Sequence, residues 1–173
     1  MTEEKITQTL TYAGFILVAF ELAKGMIVNP IETFYKNVTF DEGMPFKSYK
    51  QDVLSRHKNK FEASLLYLRD FMQAIDAEDV MTIQALRKHR NILAHELPQI
   101  IQDFDIAEHL QLLEKTEKAL FKLSNHRAYM EFGTYFRLNN IGTNWDTVKG
   151  PEYCLFEEIV QNIKFLEIKE KNA

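Results

Sequence analysis

Apolar positions recur at helical spacing along most of the chain, beginning with residues 3–27. The centre of this segment, AGFILVAFELA, is apolar on all sides. A helix with no polar face is typical of the middle of a bundle, so we expect this one to be central and buried. Asn29-Pro30 should end it, because a residue before proline avoids helical geometry. A short helix is expected to follow at IETFYKNV.

The next apolar periodicity covers residues 49–74. Ser48 and Gln51 have the spacing of a capping box at its start. The polar run at 57–59 is expected to break the helix. The second half, FEASLLYLRDFMQAI, again has apolar residues at helical spacing. We therefore expect two helical pieces here.

A further helix is predicted to begin after Asp76, which can cap it, with acidic residues in its first turn. It should fray at Leu97, the residue before Pro98. Asp103 or Asp105 is the expected start of the helix after it.

That helix should run over roughly 105–131, with leucines facing inward and Gly133 as its stop. Residues 134–150 are rich in turn formers. Pro151 suits the first position of a final helix that continues to about Glu167.

Together these patterns predict an all-α fold: a helical bundle of about five helices with a short C-terminal helical extension. With 173 residues, 46% of them hydrophobic and 27% charged, the chain suits one globular core. We expect a single domain over 1–173, in which 134–173 is the extension.

Composition and charge narrow the classes of function. A net charge of −4 argues against a broad nucleic-acid-binding surface, although a small basic patch is compatible with it. Cys154 is the only cysteine, which excludes an intrachain disulfide and a cysteine-based zinc cluster. The N-terminus lacks a signal-peptide layout, and the most apolar run, Ala13–Phe20, is shorter than the roughly 20 residues that span a bilayer. We expect a soluble cytoplasmic protein without membrane contact.

The stretch LRKHRNILAHELPQ places an arginine where a helix should be apolar. On a helical projection Arg90 falls near the middle of an arc that holds Ile83, Leu86, Leu93, Ala94 and Leu97. A guanidinium there needs a counter-charge to offset its desolvation. Glu21, the lone acid in LVAFELA, is the expected partner.

Beside that arc, Arg87, Asn91 and His95 follow one another at intervals of four and share a ridge. Ordinary explanations exist for the two motif residues. A long arginine stem can carry its head to water, and a histidine near a helix C-terminus suits the dipole.

The string Arg90-Asn91-x3-His95 resembles the R-x(4–6)-H motif of the HEPN superfamily, whose all-α domains often have a polar residue after the arginine. The resemblance implies a bundle that forms a homodimer through its motif helices. It also implies a metal-independent endoribonuclease without a cofactor, as in toxin–antitoxin and phage-defence systems. An RNA substrate and an antitoxin or other regulatory protein would be the partners.

Under that resemblance His95 is the general acid or base, Arg90 the clamp on the phosphate, and Asn91 an orienting residue. Arg87 and Lys88 would add substrate-binding charge, Glu21 would support Arg90, and no metal ligands are expected.

The sequence departs from the pattern of one HEPN subgroup at Leu97. The subgroup paired with minimal nucleotidyltransferase antitoxins has tyrosine two positions after the histidine, so this chain should lie outside it. Two alternatives stay open: a non-catalytic HEPN-like module that binds RNA, nucleotide or a protein partner, and an unrelated helical protein with an accidental motif.

Overall fold

The computed structural model describes residues 3–101, 104, 106–139 and 141–171. Within these ranges all regular structure is helical and there is no strand, so the predicted all-α class is confirmed. The α-helices are α1 (Glu3–Asn37), α2 (Tyr49–Asp52), α3 (Lys60–Asp70), α4 (Ala77–Ile100), α5 (Ile106–Leu138) and α6 (Pro151–Lys171). Single 3₁₀ turns lie at Leu54–Arg56 and Trp145–Thr147.

The centre of the molecule is α1, which packs against α3, α4, α5 and α6. Its inward side chains are removed from water along most of its length. The fully covered ones are Tyr12, Ile16, Ala19, Ala23 and Ile27. Burial of this apolar surface is the main favourable term that holds the other helices around α1.

Contrary to the sequence prediction, α1 does not end at Asn29-Pro30 but continues through Pro30 to Asn37. Proline has no N–H to give to the Met26 carbonyl, so the helix loses one hydrogen bond there. Beyond the proline, Ile31 is buried and Tyr35 packs against the core. We attribute the continuation to this packing, which repays the lost bond.

By length and composition α1 could also cross a membrane, because it contains an 18-residue window with a mean hydropathy of 1.5. The apolar stretch is therefore longer than the run Ala13–Phe20 singled out in the sequence. Core helices of soluble proteins have the same property, and 44% of that window is buried against the rest of the chain. Cytoplasmic localisation stays a prediction.

Between α1 and α4 the chain breaks as expected near residues 57–59. Ser48 caps the one-turn helix α2 by accepting the backbone N–H of Gln51. The side chain of Asn59 caps α3 by accepting from Phe61 and Glu62. This cap determines where α3 begins beside α1.

The predicted cap of α4 is confirmed, because Asp76 accepts the backbone N–H of Asp79 and Asp79 accepts that of Asp76. Lys122 of α5 reaches both carboxylates, at 3.0 and 2.7 Å, and so attaches the start of α4 to α5. The predicted end at Leu97 is wrong: α4 runs through Pro98 to Ile100. Leu97 and Ile100 on either side of the proline pack against the core.

The prediction that Gly133 stops α5 is also wrong, since the helix continues to Leu138. A Cβ at position 133 would lie 3.2 Å from the ring of Tyr129, which itself packs on Trp145. The glycine therefore provides room for an aromatic ring. Asp103 and Asp105, the expected starts of this helix, lie outside the described residues.

The final helix begins at Pro151, as predicted, and reaches Lys171. It belongs to the same core as α1 and α5, against which it packs. Its buried side chains are Tyr153, Phe156, Ile159, Val160 and Ile163. The segment treated in the sequence as an extension thus contributes to the centre of the bundle.

Candidate functional site

Arg90 lies at the edge of the buried face of α4, with 30% of its side chain exposed, and not in the middle of that face as the helical projection predicts. The buried positions around it are Ile83, Leu86, His89 and Leu93, whereas Ala94 is exposed. The arginine head lies over the ring of Phe20, 5.5 Å from the ring centre. Arg90 is thus directed toward α1 at the surface.

The guanidinium of Arg90 has incomplete partners in this chain. Its Nη2 is 3.6 Å from Oε1 of Glu21, and its Nη1 donates to Oδ1 of Asn91 at 3.2 Å. Its Nε is buried and has no hydrogen-bond partner among the described residues. A buried donor without a partner is costly, so the described part of this chain does not fully satisfy the guanidinium.

Glu21 lies beside Arg90 as expected, but the contact is loose. Its carboxylate is 53% exposed and also accepts a 3.0 Å bond from Lys24. An exposed pair of this kind contributes little to stability. A stronger anion could therefore replace Glu21 at small cost.

Arg90 lines a groove of about 510 Å³ between α1, α3 and α4, which we call the Arg90 groove. Its lining residues are Phe20, Glu21, Lys24, Gly25, Val28, Asn29, Asn59, Lys60, Phe61, Arg87, Arg90 and Asn91. Four of the twelve are cations, although the whole chain is acidic. The groove is therefore a local basic patch of the kind that the net charge left open.

Two further cations of the groove are held by acids from neighbouring helices. Arg87 binds Glu62 of α3 at 2.5 Å and lies over the ring of Phe61. Lys60 forms an ion pair with Glu32 of α1. These pairs link the three helices, and they position the positive charges along one wall of the groove.

Of the other predicted site residues, some line the Arg90 groove and others lie outside it. Asn91 lines the groove and binds Arg90. His95 is exposed on the same ridge, four residues beyond Asn91, and does not line the groove. Lys88 is exposed and also lies outside it. One chain therefore brings together Arg90, Asn91, Arg87 and Glu21, and leaves His95 and Lys88 facing solvent.

A different histidine of α4, which the sequence analysis did not select, is buried. His89 is 7% exposed and shares a 3.0 Å hydrogen bond with the hydroxyl of Tyr12. Its ring stacks on that of His109 from α5, with 4.2 Å between ring centres. The sequence signal was present, because His89 falls three residues after Leu86 and four before Leu93.

This cluster joins α1, α4 and α5 through aromatic rings, and Phe104 stacks on its side. Burial, with a smaller effect of His109, lowers the pKa of His89 to about 4. Burial also raises the pKa of the Tyr12 phenol well above its usual range. His89 is therefore uncharged near neutral pH and serves as a structural connection between helices.

Within the described part of the chain, no three His, Cys, Asp or Glu side chains gather as metal ligands would. Compared with known proteins, the chain matches no family model, no curated sequence and no solved structure at a significant level. Any function must therefore be argued from the site itself.

Proposed function

We propose that this chain is a HEPN-like, metal-independent endoribonuclease that works as a homodimer, with the Arg90 groove binding the phosphodiester backbone of RNA. The observation that carries the proposal is the incompletely paired guanidinium of Arg90 in a groove lined by Lys24, Lys60 and Arg87. Its loosely held Nη2, 3.6 Å from Glu21, is a donor for phosphate oxygens.

In this proposal Arg90 is the clamp that stabilises the charge of the phosphorane. Glu21 holds the guanidinium when no RNA is bound, at 3.6 Å, and yields to the phosphate. Asn91 orients the arginine through its 3.2 Å contact with Nη1. Arg87 adds positive charge to the same wall.

His95 supplies the proton transfers. The imidazole takes the proton from the 2′-hydroxyl, the 2′-oxygen attacks phosphorus, and the 5′-oxygen leaves with the proton that the same ring, now imidazolium, returns. The products are a 2′,3′-cyclic phosphate and a free 5′-hydroxyl. Because His95 is exposed and lies outside the groove of its own chain, a twofold pairing of α4 helices must bring it to the partner's groove.

A second candidate is a non-catalytic HEPN-like module that binds a phosphate-bearing ligand. The observation that favours it is again the position of His95, since a single chain holds phosphate-binding groups without a histidine among the lining residues of the groove. Both candidates use Arg90, but only the nuclease requires His95.

The deciding experiment incubates the purified protein with RNA in the presence of a chelator. His95→Ala and Arg90→Ala should each reduce cleavage roughly 100-fold or more. The matched controls are His57→Ala and Arg137→Ala, which alter exposed residues outside the groove and should cleave like the wild type. Circular dichroism and sedimentation must show that all variants stay folded and keep the same oligomeric state.

Binding of fluorescently labelled RNA separates the two candidates. If wild type binds RNA but does not cut it, and Arg90→Ala alone weakens binding, the non-catalytic module is the correct function. Equal cleavage by wild type, Arg90→Ala and His95→Ala would contradict the nuclease.

A further inference from the structure

A second pocket, of about 300 Å³, lies between α1, α3 and α5. It is lined by Met26, Ile27, Pro30, Ile31, Phe34, Phe46, Tyr67, Leu68, Met72, Leu123, His126, Arg127, Met130 and Glu131. None of these residues lines the Arg90 groove. We call it the methionine pocket, and its volume is at the low end of the roughly 300–1,000 Å³ of small-molecule sites.

The polar groups of this pocket are satisfied, with one exception. Arg127 is neutralised by Glu131 at 2.7 Å and Glu152 at 3.4 Å. The hydroxyl of Tyr67 accepts a hydrogen bond from Tyr35. Nε2 of His126 is buried, and no described residue forms a hydrogen bond with it.

The unpaired nitrogen defines the polar group that a ligand should carry. Burial lowers the pKa of His126, which favours the neutral ring. A neutral imidazole nitrogen either donates or accepts, depending on the tautomer, and a hydroxyl group can match both cases. Because Arg127, the one cation of the lining, pairs with Glu131, its one anion, no net charge in the pocket selects a charged ligand.

The walls define the rest of the ligand. Three of the lining residues are methionines (Met26, Met72 and Met130), and three have aromatic rings of the Phe or Tyr type (Phe34, Phe46 and Tyr67). Methionine side chains adapt their shape and make favourable sulfur contacts with aromatic rings. Flat apolar rings also pack well against aromatic side chains. An aromatic ring is therefore the ligand group that packs best against these lining residues.

We infer that the methionine pocket binds a neutral aromatic molecule with one hydroxyl group, its ring among the methionines and its hydroxyl on Nε2 of His126, which a turn of the imidazole brings to the ligand. This site is independent of the proposed ribonuclease, since the two share no lining residue.

The test uses 4-methylphenol and toluene, which differ only by the hydroxyl group, as probes for protein labelled with ¹³C at the methionine methyl groups. The resonances of Met26, Met72 and Met130 should shift saturably with 4-methylphenol. Met44 and Met81, which are exposed and outside the pocket, are internal controls and should not move. Toluene should bind roughly fivefold more weakly, because it cannot form the hydrogen bond.

Two variants connect the binding to the pocket. His126→Leu replaces the imidazole with an apolar side chain of similar size and should abolish the preference for 4-methylphenol over toluene, whereas His57→Leu at an exposed site should preserve it. Met130→Trp should block the pocket, and since Met130 is 57% exposed, the change spares the core. Absence of saturable shifts at the three pocket methionines, or an unchanged preference in His126→Leu, would overturn the inference.

Discussion

At the scale of residues, α4 contains two histidines with opposite surroundings. His95 belongs to the R-x4-H string and is exposed, whereas His89 is buried against Tyr12 and His109. The sequence motif identified the first, and only the packing of α1 and α5 identified the second. For the proposed chemistry, the exposed histidine is the one that can reach RNA.

The burial of His89 predicts a pH dependence of stability. Its folded pKa is about 4, against an ordinary 6.5. Between these values the unfolded chain binds a proton that the folded chain does not, so the free energy of unfolding should fall as pH drops from 6.5 to 4. The expected loss is at most about 3 kcal/mol, with no further loss from this group below pH 4.

The measurement is urea unfolding across that pH range for the wild type and for Tyr12→Phe/His89→Leu, which removes both partners of the hydrogen bond. The double variant should show a flatter pH profile. The single variant His57→Leu, at an exposed histidine, should retain the profile of the wild type. Parallel profiles for wild type and double variant would contradict the assignment.

At the scale of elements, local rules located the helix starts better than the helix ends. Asp76 and Pro151 mark the starts of α4 and α6 as predicted, because a cap acts within a few residues of itself. Pro30 and Pro98 do not end their helices, since the packing of Ile31 and of Leu97 and Ile100 against the core outweighs a local preference, and Gly133 does not end α5 either. Propensity is a weak guide wherever a helix lies in the core.

Pro30 therefore provides a test of the balance between local helix propensity and burial in the core. Pro30→Ala restores an N–H for the Met26 carbonyl and should raise the free energy of unfolding by about 1–3 kcal/mol. Pro151→Ala is the matched control, because proline is favoured at the first position of a helix and no gain is expected there. Denaturant titration measures both. Equal effects of the two substitutions would show that the interior position of Pro30 carries no special cost.

At the scale of the whole molecule, the Arg90 groove exists because three helices meet. Glu21 and Lys24 come from α1, Lys60 from α3, and Arg87 and Arg90 from α4. The same assembly leaves His95 in solvent. An active nuclease therefore depends on how two chains associate.

That dependence predicts complementation between inactive variants, and the prediction rests on the proposed function. If Arg90 of one chain works with His95 of the other, a mixture of Arg90→Ala and His95→Ala proteins contains one complete site in each mixed dimer. With random exchange of chains, the mixture should recover about a quarter of wild-type cleavage. Each variant alone, and a mixture whose chains have not exchanged, should stay inactive. No recovery after verified exchange would contradict a site shared between chains.

The sequence by itself determined the all-helical class, the cap at Asp76, the break before α3 and the start of α6, because these depend on periodicity and on neighbours along the chain. It also indicated Glu21 as the acid near Arg90. Only the tertiary structure decided which face of α4 is buried, that His89 and not Arg90 lies within it, and that His95 stays outside the groove. Those outcomes depend on how helices that are distant in sequence pack together. A helical projection gives the direction of each side chain around its own helix axis, but it does not show which other helix that side chain faces.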